Sequence, residues 1–321
     1  MNKNPKVSII IPLYVIEPRF FEDLKKFKKL KYPDYEIIIV CDKKVKIDDP
    51  KVRFLVTGEK RTGPAEKRDL AIEQAKGEIC AFIDDDAYPD PDWLKNAVPH
   101  FQDKRIAAVG GPGLTPPEDE FWAQVTGAVY MSLFCGGKIQ HRFVKVRRRF
   151  VQDYPAYNLL IRKDVLKEVG GYGSYFYGGE DTFLCLKIIK KGYKILYEPN
   201  VAVYHHRRPL FRPYLRQISN IGVHRGYFAK KYPETSRKLT YFMPSILTLG
   251  FLTSLIMSLT HPFFLVIFLL LFLGFYSIAV LSVIKKTDLV KSLLAGLGII
   301  LTHLAYGTFF IKGLFTKKLT R

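Results

Sequence analysis

The chain has 321 residues, with 50 Lys and Arg against 30 Asp and Glu, and a formal net charge of +20. That length holds one large domain or two small ones. The apolar residues are unevenly spread, which argues against a wholly soluble protein: the 46 residues from Leu239 to Ile284 contain no Asp, Glu, Lys or Arg. As helix at about 1.5 Å per residue that run is roughly 69 Å long, enough for two crossings of a hydrocarbon core about 30 Å thick.

In chain order, "KVSIIIPLY" (6–14) reads as a buried strand of β-branched residues. Its apolar run is too short for a signal peptide, so residues 1–232 are expected to stay in the cytoplasm. "EIIIVCD" (36–42) is a second strand and ends on Asp42; "KVRFLVTG" (51–58) is a third. "TGPAEKRDLAIEQAKG" follows as a helix, with Thr62 as cap, Pro64 in the first turn and Gly77 at the stop. The strand "EICAFID", a helix from Asp92 to Asp103 and the strand "IAAVGGP" continue the alternation. Continuous apolar strands alternating with helices predict an α/β fold, with a mainly parallel sheet covered on both faces. Cys41, Cys80, Cys135 and Cys185 lie in apolar or helical contexts without metal spacing and read as reduced core residues.

"EICAFIDDDAYPDPDWL" (78–94) runs an apolar strand into three consecutive aspartates. Asp and Pro are ordinary turn formers, so a solvated turn is one reading. The other is a divalent metal site, because ligands of parallel sheets bind outside the carboxyl ends of strands. Asp42 and Asp84–Asp86 both sit at such ends, and carboxylates suit Mg²⁺ or Mn²⁺ shared with phosphates. Further on, Gly178 and Gly179 precede Glu180 and Asp181, which open the helix "DTFLCLKIIKKG". Acidic residues in a first turn also simply suit the helix dipole. The strands "YKILYEP" and "VAVYHH" follow, the second ending on His205 and His206.

These pieces in this order resemble the family 2 glycosyltransferases, inverting enzymes with a GT-A fold and nucleotide-sugar donors. The matching stretches are "VSIIIPLY", "EIIIVCD", "GPAEKRDLAIEQAKGEICAFIDDDAYP", "AAVGGPG", "GGEDTFLCLKI" and "VAVYHHRRP". The resemblance implies that Asp84 and Asp86 are the outer carboxylates of a DxD motif. With His205 they would hold Mn²⁺ or Mg²⁺ on the donor diphosphate, His206 being the fallback. It implies Asp181 as catalytic base, paired with Glu180, and Pro12, Glu17, Asp42, Lys67, Asp69, Asp84 and Asp85 as donor nucleotide-binding residues. The chain departs from the pattern in two places. Val15 stands where the family often has Asn, and "CDKK" carries one carboxylate, Asp42, where two are common.

A single in-line displacement needs one base on the acceptor hydroxyl and stabilisation of the departing diphosphate. Two basic stretches, "KIQHRFVKVRRRF" (138–150) and "HHRRPLFRPYLRQISNIGVHRGYFAKKYP" (205–233), suit anionic lipid or a diphosphate. No nucleic-acid recognition motif accompanies them. The expected organisation is a GT-A catalytic domain over 1–232, then a membrane region over 233–321 with two to three transmembrane helices, about 241–259, 262–284 and 293–311. That membrane tail resembles those of bacterial and archaeal enzymes that elongate lipid-linked oligosaccharides. The expected activity is transfer from a nucleotide-diphosphate sugar to a hydroxyl of a lipid-linked acceptor at the cytoplasmic membrane. A polyprenyl-phosphate sugar synthase and a non-catalytic basic membrane adaptor are the rivals. The charge rule leaves the third apolar segment open, since a third crossing would carry the basic tail outside.

Overall fold

The computed structural model describes residues 4–43, 49–58, 62–173 and 178–319. Residues up to 114 together with 144–206 form one compact unit, and 115–143 together with 207–319 form a second. The segment 207–232, which the sequence places with the strands, groups with the apolar helices instead.

Among the described residues the first unit has eleven strands: β1 Val7–Pro12, β2 Tyr35–Cys41, β3 Val52–Val56, β4 Ile79–Phe82, β5 Ala87–Pro89, β6 Ile106–Gly110, β7 Gly113–Leu114, β8 Arg149–Val151, β9 Leu159–Arg162, β10 Lys194–Tyr197 and β11 Val203–His205. Eight form one sheet in the order β3-β2-β1-β4-β9-β6-β10-β8, and β5, β11 and β7 form a small second sheet. β3, β2, β1 and β4 run parallel, as their largely apolar sequences without strict alternation predict. β9 is wedged between β4 and β6, antiparallel to both, which makes the sheet mixed. Its four residues, "LLIR", are too short to show a period.

Side-chain alternation divides the core in two. Val7, Ile9 and Ile11 of β1 join one apolar cluster with Ile37, Ile39 and Trp93. Ile10 joins another on the opposite face with Ile38, Val40, Ala71, Ile72 and Leu184. The helix Pro64–Gln74 starts one residue later than a Thr62 cap implies: Gly63 is the cap, and its N–H donates to the Glu66 carboxylate at 2.9 Å. It also stops before Gly77, because Gly77 is pressed against β1. A Cβ there would sit 2.5 Å from the Ser8 nitrogen. The helix expected over 92–103 is α-helical only from Trp93 to Ala97 and continues as a 3₁₀ turn over Val98–Gln102, where Pro99 cannot continue the backbone ladder.

The second unit holds the helices Phe121–Met131, Arg212–Lys231, Leu239–Met257, Pro262–Leu281 and Leu289–Phe315. The last three are long and apolar enough to cross a membrane. The third starts at Leu289, before its charge-free run begins, because the Asp288 carboxylate caps it by accepting from the Lys291 N–H at 2.9 Å.

Candidate active site

The parallel strands β1, β2 and β4 open their carboxyl ends on one edge of the sheet. Pro12 closes β1 and is buried. Lys67, 1 % exposed, reaches that edge from the helix Pro64–Gln74. Its ammonium donates to the Leu13 carbonyl at 2.8 Å and lies 3.1 Å from Asp42 at the end of β2. Thr57 donates to the same carboxylate at 2.6 Å. Burial works against an ionised Asp42, but Thr57 and Lys67 outweigh it and hold the carboxyl below its ordinary range. Asp69, two residues after Lys67, accepts from the N–H groups of Tyr172 and Gly173 at 2.6 and 2.9 Å. This carboxylate fastens the 172–173 turn, while Lys67 serves Asp42.

The aspartate triplet follows β4. Asp85 accepts from the Tyr14 N–H at 3.0 Å. Burial, then the charges of Asp86 and Asp84 and more weakly Glu17, push Asp85 up to about 8. Glu17 itself is exposed ahead of the helix Pro18–Lys26. The antiparallel pairing of β11 with β5 sets His205 opposite Ala87, beside Asp86. His205 Nε2 lies 3.0 Å from Asp86 Oδ1. Asp84, Asp86 and His205 each offer one ligand atom, and these atoms lie within 4.8 Å of one another. Two hard oxygens and an imidazole fit a divalent cation. His206 goes elsewhere: its Nε2 lies 3.0 Å from the buried Asp23, which also pairs with Lys26.

Gly178 and Gly179 have φ of 106° and 84°, a left-handed backbone that other residues adopt only with strain. They turn the chain so that Glu180 and Asp181 open the helix Glu180–Lys190. The residues just before them, 174–177, lie outside the described residues. Asp181 accepts from the Ala156 N–H at 3.0 Å. Burial, ahead of the charge of Glu180, raises its carboxyl to about 7, even against Arg68.

Arg68 is the residue the sequence reading passed over. It is 3 % exposed and donates to Asp84 at 2.8 Å, to Glu180 at 3.1 Å and to Asp181 at 3.4 Å. Its guanidinium lies over the Tyr172 ring at 5.3 Å. The one signal for it was its place beside Lys67 on a helix start facing acidic strand ends. A fork of N–H donors between carboxylates is the geometry guanidinium provides. One connected site therefore holds a triad that could bind a cation, a carboxylate raised toward neutral pH, and an arginine joining the two.

The family model described as "Glycosyl transferase family 2" matches residues 8–170. A Methanococcus voltae protein, "Dolichyl N-acetyl-alpha-D-glucosaminyl phosphate 3-beta-D-2,3-diacetamido-2,3-dideoxy-beta-D-glucuronosyltransferase", is 24% identical over 243 residues, covering 70% of this chain and 74% of its own length. The "Glucosyl-dolichyl phosphate glucuronosyltransferase" of Haloferax volcanii is 25% identical over 222 residues, 62% of this chain and 69% of that protein. The "Pre-mycofactocin glycosyltransferase" of Mycobacterium tuberculosis is 27% identical over 177 residues, 55% of this chain; the match spans only 37% of that protein. Among solved structures, the mannosyltransferase PcManGT from Pyrobaculum calidifontis, in complex with GDP-Man and Mn²⁺, aligns with a TM-score of 0.57 at 19% identity. That alignment covers 98% of this chain and 88% of the other and shows a shared GT-A architecture. The family match spans half the chain and contains the aspartate triplet, so this chain belongs to glycosyl transferase family 2.

Proposed function

We propose that the chain is an inverting glycosyltransferase that moves a sugar from a nucleoside-diphosphate donor to a hydroxyl of a lipid-linked glycan, at the cytoplasmic face of the membrane. The observation that carries this reading is the joining, through Arg68, of Asp84 of the triad to the carboxylate of Asp181. Asp84, Asp86 and His205 would hold Mn²⁺ or Mg²⁺, which supplies charge stabilisation to a departing diphosphate. Lys67 and Asp42 shape the floor at the ends of β1 and β2, where the nucleoside would lie. Asp181 takes the proton of the acceptor hydroxyl. One carboxylate acting as base on the acceptor, with no covalent intermediate, gives a single displacement, hence inversion, by the same logic as in glycoside hydrolysis.

The acceptor class draws on the two archaeal relatives, each of whose names contains a sugar-bearing dolichyl phosphate. The experiment is a transfer assay of the full chain in detergent or nanodiscs with UDP-, GDP- and dTDP-sugars and membrane lipid extract. A glycolipid product of inverted anomeric configuration is expected. Transfer only to a soluble acceptor, or retention of configuration, would overturn the reading.

A further inference from the structure

The helices Leu239–Met257 and Pro262–Leu281 form an antiparallel hairpin. The Phe251 ring lies 6.1 Å from Phe268 and 6.4 Å from Phe272. If Phe251 is level with the middle of that pair, residues 242–248 of the first helix are level with about 273–279 of the second. Both stretches lie at the base of the hairpin, where the chain enters and leaves it.

The third apolar helix, Leu289–Phe315, meets the hairpin at this base. On the first helix, the Phe242 ring lies 4.8 Å from Phe310, the Ser245 hydroxyl donates to the Gly307 carbonyl at 3.0 Å, and the Thr248 hydroxyl donates to the His303 carbonyl at 3.1 Å. On the second, the Phe275 ring lies 5.2 Å from His303, and the Tyr276 hydroxyl donates to the Leu293 carbonyl at 3.2 Å. The stretch from Leu293 to Phe310 is roughly 26 Å long, yet each of these contacts falls within about 10 Å of hairpin depth at about 1.5 Å per residue. Phe275 and Tyr276 are neighbours, but their partners stand ten residues apart, roughly 15 Å along the third helix. The third helix therefore crosses the second steeply. A third span running antiparallel to the second would instead follow it toward Pro262.

A further helix packs along residues 302–316 of the third. Helix Arg212–Lys231 carries Arg212, Arg216, Arg225, Lys230 and Lys231. It packs backbone to backbone on residues 302–316. A Cβ on Gly226 would sit 2.1 Å from the Phe310 carbonyl oxygen, and one on Gly313 would sit 2.2 Å from that of Val223. The Tyr214 hydroxyl lies 2.7 Å from that of Thr302, and Lys230 donates to the Thr316 carbonyl at 2.6 Å. Five cations on a helix held this closely are costly to carry into hydrocarbon. They belong at the headgroups, and so does the helix they clasp.

We infer that Leu289–Phe315 does not cross the bilayer but lies in its interfacial layer on the side where the hairpin begins and ends. The chain then crosses the membrane twice. Lys317 and Lys318 stay on the same side as Lys238 and Lys285, which satisfies the positive-inside tendency that a third crossing would violate. The surface offered to lipid includes Leu289, Val290, Leu293 and Phe315, all exposed. The inference rests on the hairpin spanning the membrane, not on any transfer activity.

The test is thiol labelling of the full chain in sealed vesicles of both orientations with a membrane-impermeant maleimide. Single substitutions are placed at exposed positions: Thr260→Cys in the hairpin tip, Lys285→Cys after it and Lys318→Cys beyond the third helix. The unsubstituted chain measures the background of its four thiols, three of them buried and Cys135 half-buried. K318C is expected to label from the same side as K285C, and T260C from the opposite side. Labelling of K318C from the T260C side, from both sides, or only after detergent would overturn the inference. So would T260C and K285C labelling from one side, which would remove the spanning hairpin itself.

Discussion

Asp84 and Asp181 share one guanidinium, that of Arg68, at 2.8 and 3.4 Å. One carboxylate belongs to the cation site and the other is the proposed base, and 97 positions separate them in sequence. Arg68→Gln removes the charge but keeps some hydrogen bonding, and leaves Glu180 and both aspartates uncompensated. Breaking a buried ion pair on one side costs about 3–5 kcal/mol. Because Asp84 and Asp181 retain some exposure, a loss near the lower end, about 3 kcal/mol, is expected in unfolding experiments. Arg68→Lys should lose less stability, since it keeps the charge without the fork. An Arg68→Gln protein as stable as wild type would show that the cluster is already neutral without Arg68.

Removal of the cation is the second prediction. EDTA should abolish transfer, and Mn²⁺ or Mg²⁺ should restore it. Asp86→Ala should defeat restoration at any concentration tested, since it removes one of three ligands within 4.8 Å. His206→Ala should leave cation dependence unchanged, because His206 serves Asp23 instead. Isothermal titration of the cation against each variant separates loss of binding from loss of turnover.

How much of this was legible beforehand depends on the range of each interaction. β1, β2 and β4 announce themselves because strands buried on both faces contain consecutive apolar residues, such as Ile9–Ile11, Ile37–Cys41 and Ile79–Phe82. The aspartate triplet and the Gly-Gly-Glu-Asp turn stand out because each is local. His205 and His206 could not be told apart, because their roles depend on the pairing of β11 with β5 and on Asp23, 183 positions from His206. Arg68 was missed for the same reason, its three partners lying 16, 112 and 113 positions away. Asp69 looked like a site residue beside Lys67, yet it faces a turn more than a hundred positions on. A boundary at residue 232 follows charge, whereas the packing follows Gly222 and Gly226.

That last point makes a third prediction. A chain cut after Tyr232 keeps the helix Arg212–Lys231 but loses the helix it packs against, uncovering Gly222 and Gly226. It is expected to aggregate or to need detergent, although every strand is present. In the full chain, Gly226→Leu should lower the thermal midpoint in detergent, because its Cβ would meet the Phe310 carbonyl oxygen at 2.1 Å. A monodisperse, detergent-free 1–232 protein on gel filtration would count against this packing.

The last prediction concerns Asp181 as a base. Its carboxyl is raised to about 7, chiefly by burial. A raised carboxyl is protonated below that value and cannot accept a proton there. Transfer should therefore fall as pH drops through about 7, with the plateau on the alkaline side. The sign for stability is opposite: protonation favours the fold, so this group's contribution is complete below the ordinary carboxylate range and is lost as pH rises through about 7. Activity and stability should thus move in opposite directions across the same window. Asp181→Asn keeps the size of the side chain and can still accept from the Ala156 N–H, but it removes the base. General base catalysis contributes about 10²- to 10⁴-fold, and a loss of that order in transfer rate is expected. Donor affinity should change little, since Asp84, Asp86 and His205 remain. The acid limb should vanish from what activity is left. A phosphate acceptor would bring its own anion and need no base, so near-wild-type transfer by the Asn variant would point to a phosphate acceptor. Loss of donor binding would instead place Asp181 in the donor site.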